Sequence, residues 1–293
     1  MTSIKKDGRP FIIRFWEFQS KRMPLFAMMI TALLAMGVVY NFSHAPLRNY
    51  LTASAIFILY LIQIRTADEK KDFEHDNQFH KDRPVQRGVI SLDELQIINR
   101  LAVLIQLVLY ASFGDLNILL LGFLSQGYAM LTRKEFFVRG WIRKHFFVYY
   151  FSHYIQLVIL FYALVSIIKP TVVSYIHLVI FAMLGVVMSE LGRKMYPMEE
   201  DTTDDTYSAQ LGHRGAAITI SIIALLAELY VVYFISSRGQ KYFFAIFPMI
   251  ALAYLIYRAY RYAVSPHHSE AKHIENAASI MVLIAMICII LGA

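Results

Sequence analysis

Nine apolar runs dominate the chain, at about 24–42, 49–66, 95–113, 116–132, 146–167, 171–190, 215–235, 242–262 and 274–292. Each has roughly the length that a helix needs to cross the hydrocarbon core of a bilayer. Charged residues collect between the runs. This alternation predicts an all-α polytopic membrane protein with nine transmembrane helices, in which residues 1–293 form a single membrane domain. Residues 1–23 read as a polar N-terminal segment, and 67–94 and 191–214 as two acid-bearing loops. The third and fourth runs are separated by only Gly114 and Asp115, so they form a tight helical hairpin.

Composition agrees with that pattern. Hydrophobic residues make up 58% of the 293, and the mean hydropathy is +0.50, well above an ordinary globular mixture. The basic start runs into a long apolar span without a small-residue cleavage pattern, so no cleavable signal peptide is expected. The lone cysteine, Cys288, excludes an internal disulfide. The 21 Phe and 19 Tyr residues read as lipid-facing packing and interface belts.

Charge sets an expected orientation. With the N-terminus in the cytoplasm, the inside segments hold 22 Lys and Arg residues against four (Arg48, Lys169, Arg238 and Lys241) outside. Under the positive-inside rule this bias orients the chain, and nine spans leave the C-terminus outside. The formal net charge of +7 follows from the same bias and gives no reason to invoke nucleic acid.

The candidate chemistry lies in the loop after the second run. Asp68, Asp72 and Asp76 recur every fourth residue, so on a helix they share a face at about 6 Å per turn. Carboxylates aligned in this way suit a hard divalent cation, which takes oxygen ligands and often completes its shell with phosphate oxygens. Glu69 and Glu74 add acid, and Lys81, Arg83 and Arg87 follow as bases. That order suits an anionic ligand held between cation and bases. The loop after the sixth run repeats the theme, with Glu190, Arg193 and Lys194, then Glu199, Glu200, Asp201 and Asp205. Two acidic clusters of this kind suit one diphosphate and two metal ions. Tyr128, Arg133 and Lys134 close the fourth run.

Plainer explanations compete with this one. A charged loop is ordinarily a solvated one, but the strict spacing and the second cluster count against that. The Gly and terminal Glu of a calcium-binding EF-hand loop are not at the required offsets. Tyr149, Tyr150 and Tyr154, with His153 among them, read as packing or interface residues. Glu228, inside the seventh run, is a functional suspect because a carboxylate in lipid is costly; it reads equally as a protonated packing residue.

The residues resemble a known family. Asp68-x-x-x-Asp72-x-x-x-Asp76, followed by Arg83-Pro84, is similar to the first signature of the UbiA superfamily of intramembrane prenyltransferases. Glu190-Leu-Gly-Arg193-Lys194 with Thr206-Tyr207-Ser208 resembles its second acidic region, and Tyr128 to Arg133 its Tyr-Pro-x-x-Lys-Arg motif. The sequence departs from the family pattern at Asp68 (Asn is usual), Lys194 (often Asp), Ala129 (Pro) and Thr132 (Lys), which marks a divergent branch.

The resemblance implies a UbiA-like fold with a cytoplasm-facing active site in a bacterial or archaeal cell membrane. It implies Mg2+ as cofactor, a prenyl diphosphate donor and a hydrophobic acceptor. Asp68, Asp72 and Asp76 would be catalytic and metal-binding, with Glu190, Asp201 and Asp205 as further metal ligands. Arg83, Arg87, Tyr128, Arg133, Lys134, Arg193 and Lys194 would hold the diphosphate. Three alternatives stay open: a terpene cyclase on the same scaffold, a phosphoribosyl-type transferase acting on a lipid phosphate, and a cation transporter without enzymatic activity.

Overall fold

The computed structural model describes residues 7–197, 206–238 and 242–292. Among these the regular structure is helical, apart from an isolated antiparallel bridge between Ser43 and Pro170. The helices in chain order are α1 (Phe11–Arg22), α2 (Leu25–Asn41), α3 (Leu47–Lys71), α4 (Phe73–Phe79), α5 (Leu92–Ala111) and α6 (Leu116–Arg133). They continue as α7 (Arg139–Ile142), α8 (Phe146–Ile168), α9 (Tyr175–Arg193), α10 (Tyr207–Arg238), α11 (Ile246–Val264) and α12 (His268–Gly292).

Each of the nine apolar runs is largely helical; α3, α10 and α12 extend beyond their runs into flanking polar residues, whereas α2 lies within its run and α9 begins four residues into its own. Among the described residues, seven helices are long and apolar enough to cross a membrane, or eight if the bent pair α1–α2 counts as one span. The expected nine are therefore not all met. α2 has only 17 residues, and α6 carries Asn117, Ser125, Gln126, Tyr128, Thr132 and Arg133 and is not among the seven. α1 and α2 meet at 61° at Met23-Pro24, where proline removes a backbone donor.

Local signals fix several boundaries. Ser91 and Glu94 form a capping box at the start of α5: the Glu94 N–H donates to the Ser91 hydroxyl and the Ser91 N–H to the Glu94 carboxylate. In the hairpin between α5 and α6, Gly114 takes φ +62°, and the Asp115 carboxylate caps α6 by accepting from the Asn117 N–H at 2.9 Å. Gly212 (φ 70°, ψ 163°) breaks the first turn of α10 from the remainder.

The chain divides into two compact units. Unit 1 comprises Met1–Leu33 and Leu47–Arg139; unit 2 comprises Leu34–Pro46 and Gly140–Ala293. In unit 1, α3 packs chiefly against α5. Tyr110 of α5 lies so close to Gly122 of α6 that a Cβ there would stand 2.6 Å from its ring. Three amides close a ring among these helices: Gln106 donates to Gln63, Gln63 to Gln126 and Gln126 to Gln106, at 2.8–3.0 Å. In an apolar setting each such polar group needs an interhelical partner. α1 seats Phe18 and Met23 on Val85, Ile90 and Leu95, and so packs on the loop that follows α4.

Unit 2 is built on small residues. Ala216, Ala217 and Ala224 of α10 and Ala277 and Ala278 of α12 are buried in one core cluster with Leu255 and Ala259 of α11. Gly192 of α9 approaches the Glu275 backbone, where a Cβ would lie 3.2 Å from its Cα. Such close approach is the means by which apolar helices gain contact energy without a hydrophobic driving force.

Candidate active site

α3 and α4 carry the first acidic stretch almost without interruption. The N–H groups of Asp72, Asp76 and His80 donate to the carbonyls of Asp68, Asp72 and Asp76 at 2.8–2.9 Å, with Asp72 marking a slight bend. The three aspartates therefore keep the one-turn spacing expected from sequence, but their side chains are in different states. Asp68 is half-buried and Asp72 exposed, and neither makes an ion pair or side-chain hydrogen bond among the described residues. Asp76 is buried, and its Oδ2 is ion-paired to Arg83 and stands 3.9 Å from Arg22.

Neighbouring acids are committed as well. Glu69, fully buried, accepts from Arg22 at 2.8 Å and from Arg65 at 2.7 Å. Arg87 is ion-paired to Glu17 of α1 at 2.9 Å. Arg14 reaches across to the Val89 carbonyl and holds Glu94 in a two-point ion pair. At the start of α1, the hydrogen bond from Arg9 holds the Asp7 carboxyl down at about 2, and the Asp7 N–H donates to the Gly88 carbonyl. Gly88 takes φ +75°, the conformation that lets the Arg83–Gly88 segment fold back and its Val89 N–H reach the Pro84 carbonyl. Arg83 and Arg87 are thus structural clamps of this loop in the present state.

The end of α6 brings together the other residues singled out in unit 1. Tyr128 is half-buried and edge-on to Phe136, with ring centroids 5.6 Å apart. Arg133 is exposed and lies 3.5 Å from the Asn99 side-chain oxygen. Lys134 is exposed, with no side-chain partner among the described residues. Directly after it, Glu135, Phe136 and Phe137 take φ of 48°, 54° and 61°. A left-handed turn of three non-glycine residues costs about 1–2 kcal/mol per residue. Buried Glu135 counters that cost by accepting ion pairs from Lys71 of α3 at 3.2 Å and from Arg139 at 3.3 Å.

Unit 2 holds the second region at the C-terminal end of α9. Glu190 is ion-paired by Arg193 through both carboxylate oxygens, at 2.7 and 2.8 Å. Lys194 contacts the Tyr150 hydroxyl, with its ammonium 4.8 Å from that ring's centroid. The Tyr207 N–H donates to the Lys194 carbonyl and the Tyr196 N–H to the Ser208 hydroxyl, so the two halves of the motif at 190–194 and 206–208 are tied together. The hydroxyls of Tyr154 and Tyr207 are 2.9 Å apart, and Phe146 packs edge-on to Tyr207. Glu199, Glu200, Asp201 and Asp205 lie outside the described residues. Tyr149 stacks on His153. Glu228 is buried within α10 with neither carboxylate oxygen hydrogen-bonded among the described residues.

The sequence reading counted Glu69 among the acids of a cation cluster, not as a buried ion-pair partner, and gave no site role to Arg22, Arg65 or Glu135, nor to the imidazoles of His75 and His80. Buried Glu69 and Glu135 each pair with a base four residues away, Arg65 and Arg139, which spacing could suggest, and with a distant one, Arg22 and Lys71, which it could not. The Ser-x-x-Glu signature at 91–94 was the available signal for the start of α5.

No protein-family model and no curated protein matches the sequence. Two solved structures do match in fold. One is a digeranylgeranylglyceryl phosphate synthase of membranes, at 16% identity and a TM-score of 0.61, covering 93% of this chain and 98% of that one. Another is an apo UbiA homolog from Aeropyrum pernix K1, at 15% identity and a TM-score of 0.63, covering 91% of this chain and 98% of that one. The chain has the UbiA-like fold that the resemblance of its motifs implies.

Proposed function

We propose that this chain is a divergent UbiA-type intramembrane prenyltransferase, which moves a prenyl group from a prenyl diphosphate to a hydrophobic acceptor. The observation that carries the reading is the state of Asp68 and Asp72. They are one helical turn apart, at the polar end of a helix long enough to span a membrane, and neither has a close ion pair or a side-chain hydrogen bond among the described residues. Uncommitted carboxylate oxygens of this kind fit Mg2+, a hard cation that keeps open positions for phosphate oxygens. The fold shared with a digeranylgeranylglyceryl phosphate synthase supports the same class of reaction.

When bound, Mg2+ would supply charge neutralisation for the departing diphosphate. Asp68 and Asp72 would hold it, and Asp76 would orient the adjoining loop through Arg83. Arg133 and Lys134 belong to the same unit and are exposed cations whose charge is available to phosphate oxygens. As the bond between the allylic carbon and the diphosphate oxygen breaks, its electron pair leaves with pyrophosphate. The allylic cation is stabilised by π faces, for which Tyr128 against Phe136 is the candidate. The acceptor nucleophile then attacks that carbon and releases its proton. The orientation expected from the basic residues puts this chemistry on the cytoplasmic face.

Purified protein tests the reading with a panel of prenyl diphosphates, with Mg2+ or with a chelator. Each is run with and without a lipid extract of the host, and pyrophosphate is measured. Mg2+-dependent release that needs the extract supports transfer. Release without the extract reassigns the chain to a cyclase or hydrolase on this scaffold, and no release in any arm rejects diphosphate chemistry with prenyl donors.

A further inference from the structure

α4 places two imidazoles beside the buried carboxylate that the reading above leaves as a loop anchor. His75 Nδ1 is 3.5 Å from Asp76 Oδ1. His80 follows Asp76 by one turn, its N–H donating to the Asp76 carbonyl at 2.8 Å. The rings of His75 and His80 are 5.8 Å apart. One ligand atom from each of the three residues lies within 4.8 Å of the other two.

The two oxygens of Asp76 have separate tasks. Oδ2 is taken by Arg83, with Arg22 behind it, so the carboxylate is fixed in orientation while Oδ1 faces His75. A guanidinium that orients a ligating carboxylate in this way is the kind of support metal sites use. Asp76 is 2% exposed in its side chain and held by Arg83, whereas the His75 side chain is 58% exposed. Metal bonds near 2.1 Å bring neighbouring ligand atoms to about 3.4 Å in a tetrahedral shell. The triad needs to close by at most about 1.4 Å, a distance that rotation of the two histidine side chains can cover.

We propose that His75, Asp76 and His80 form a binding site for a borderline transition-metal dication of the Zn2+ or Co2+ kind. Two imidazoles and one carboxylate, with the carboxylate's charge already offset by Arg83, favour such an ion over Mg2+, which prefers all-oxygen shells. The fourth position stays open to water or to a phosphate oxygen. The site differs in chemistry from the Asp68–Asp72 pair and stands on α4 and its flanks, whether or not the chain transfers prenyl groups.

The test is metal binding to the full-length protein in nanodiscs, purified without a polyhistidine tag, with Mg2+ in excess throughout. Zn2+ is titrated by calorimetry, and Co2+ by its visible ligand-field bands. The proposal expects one Zn2+ equivalent that excess Mg2+ does not displace, and tetrahedral Co2+ bands. Both are lost in the His75→Ala/His80→Ala variant and kept in Asp72→Asn. Arg83→Gln is expected to weaken Zn2+ about tenfold. The His267–His268 pair and other histidines give a background that the double variant retains, so only the difference counts. A titration unchanged by the double substitution, with its melting temperature matching the parent, overturns the site.

Discussion

The α3–α4 stretch and the C-terminal end of α9 use the same residue types, acids followed by bases, yet treat their carboxylates differently. In the first, Asp68 and Asp72 have no side-chain hydrogen bond or close ion pair among the described residues, while Glu69 and Asp76 beside them are buried and bound by Arg22, Arg65 and Arg83. In the second, the described acid, Glu190, is closed off by Arg193 three residues on. An ion pair within one turn of an exposed helix end needs nothing from the rest of the fold and is worth under about 1 kcal/mol. The first stretch divides its acids into structural and available ones, and contacts with Arg22 of α1, Arg65 of α3 and Arg83 of the loop 80–91 make that division. Spacing alone gives both regions equal standing as metal sites; the partners distinguish them.

The largest effect expected from this difference falls on Asp72. Asp72→Asn removes a ligand without disturbing a protein contact, so Mg2+-dependent pyrophosphate release is expected to vanish. Stability should stay within about 0.5 kcal/mol of the parent, as for other exposed positions. Release at the parent rate would break the division between available and structural acids at its strongest point.

Much of this was legible in the residues. Nine apolar runs were visible because every one keeps its hydrophobic character over several turns, and each emerged as a helix. The Gly114-Asp115 hairpin and the one-turn spacing of Asp68, Asp72 and Asp76 were legible for the same local reason. What stayed hidden was set by distant contacts. Arg22 belongs to a segment that reads only as a polar N-terminus, yet it meets Glu69, 47 residues away. Glu135 sits in a left-handed turn that no glycine announces, and only Lys71 and Arg139 explain it. Gln63, Gln106 and Gln126 look like isolated polar residues in three runs until the helices bring them into one ring. The commitment of Asp76 to Arg83 is local in sequence, seven residues apart, but depends on the fold-back at Gly88.

A smaller but sharper test lies with Glu69, which is in the same stretch as Asp72 and of the opposite kind. Its side chain is fully buried between two guanidinium groups. Glu69→Ala strands Arg22 and Arg65, of which Arg65 already has a buried Nε without a hydrogen bond. Removing one member of a buried pair costs about 3–5 kcal/mol; the partial exposure of the two arginines points to the low end. Thermal unfolding in detergent is expected to show a clear drop in melting temperature, with any loss of turnover following the loss of folded protein. A Glu69→Ala protein as stable as the parent but inactive would place Glu69 among the ligands and dissolve the distinction.

The smallest effect is expected at Glu190, where the comparison is most easily broken. Glu190→Gln keeps the shape of the side chain and frees Arg193, which is 59% exposed and therefore readily solvated. The stability change should be under about 1 kcal/mol. The Mg2+ concentration giving half-maximal pyrophosphate release is expected to rise less than for a conservative change at the first region, Asp68→Asn. If Glu190→Gln raises it as much, the Glu190–Arg193 pair must open to expose a ligand during turnover. The contrast between the two regions would then describe a resting state alone, and the double variant Glu190→Gln/Arg193→Gln would separate the loss of a ligand from the release of a cation.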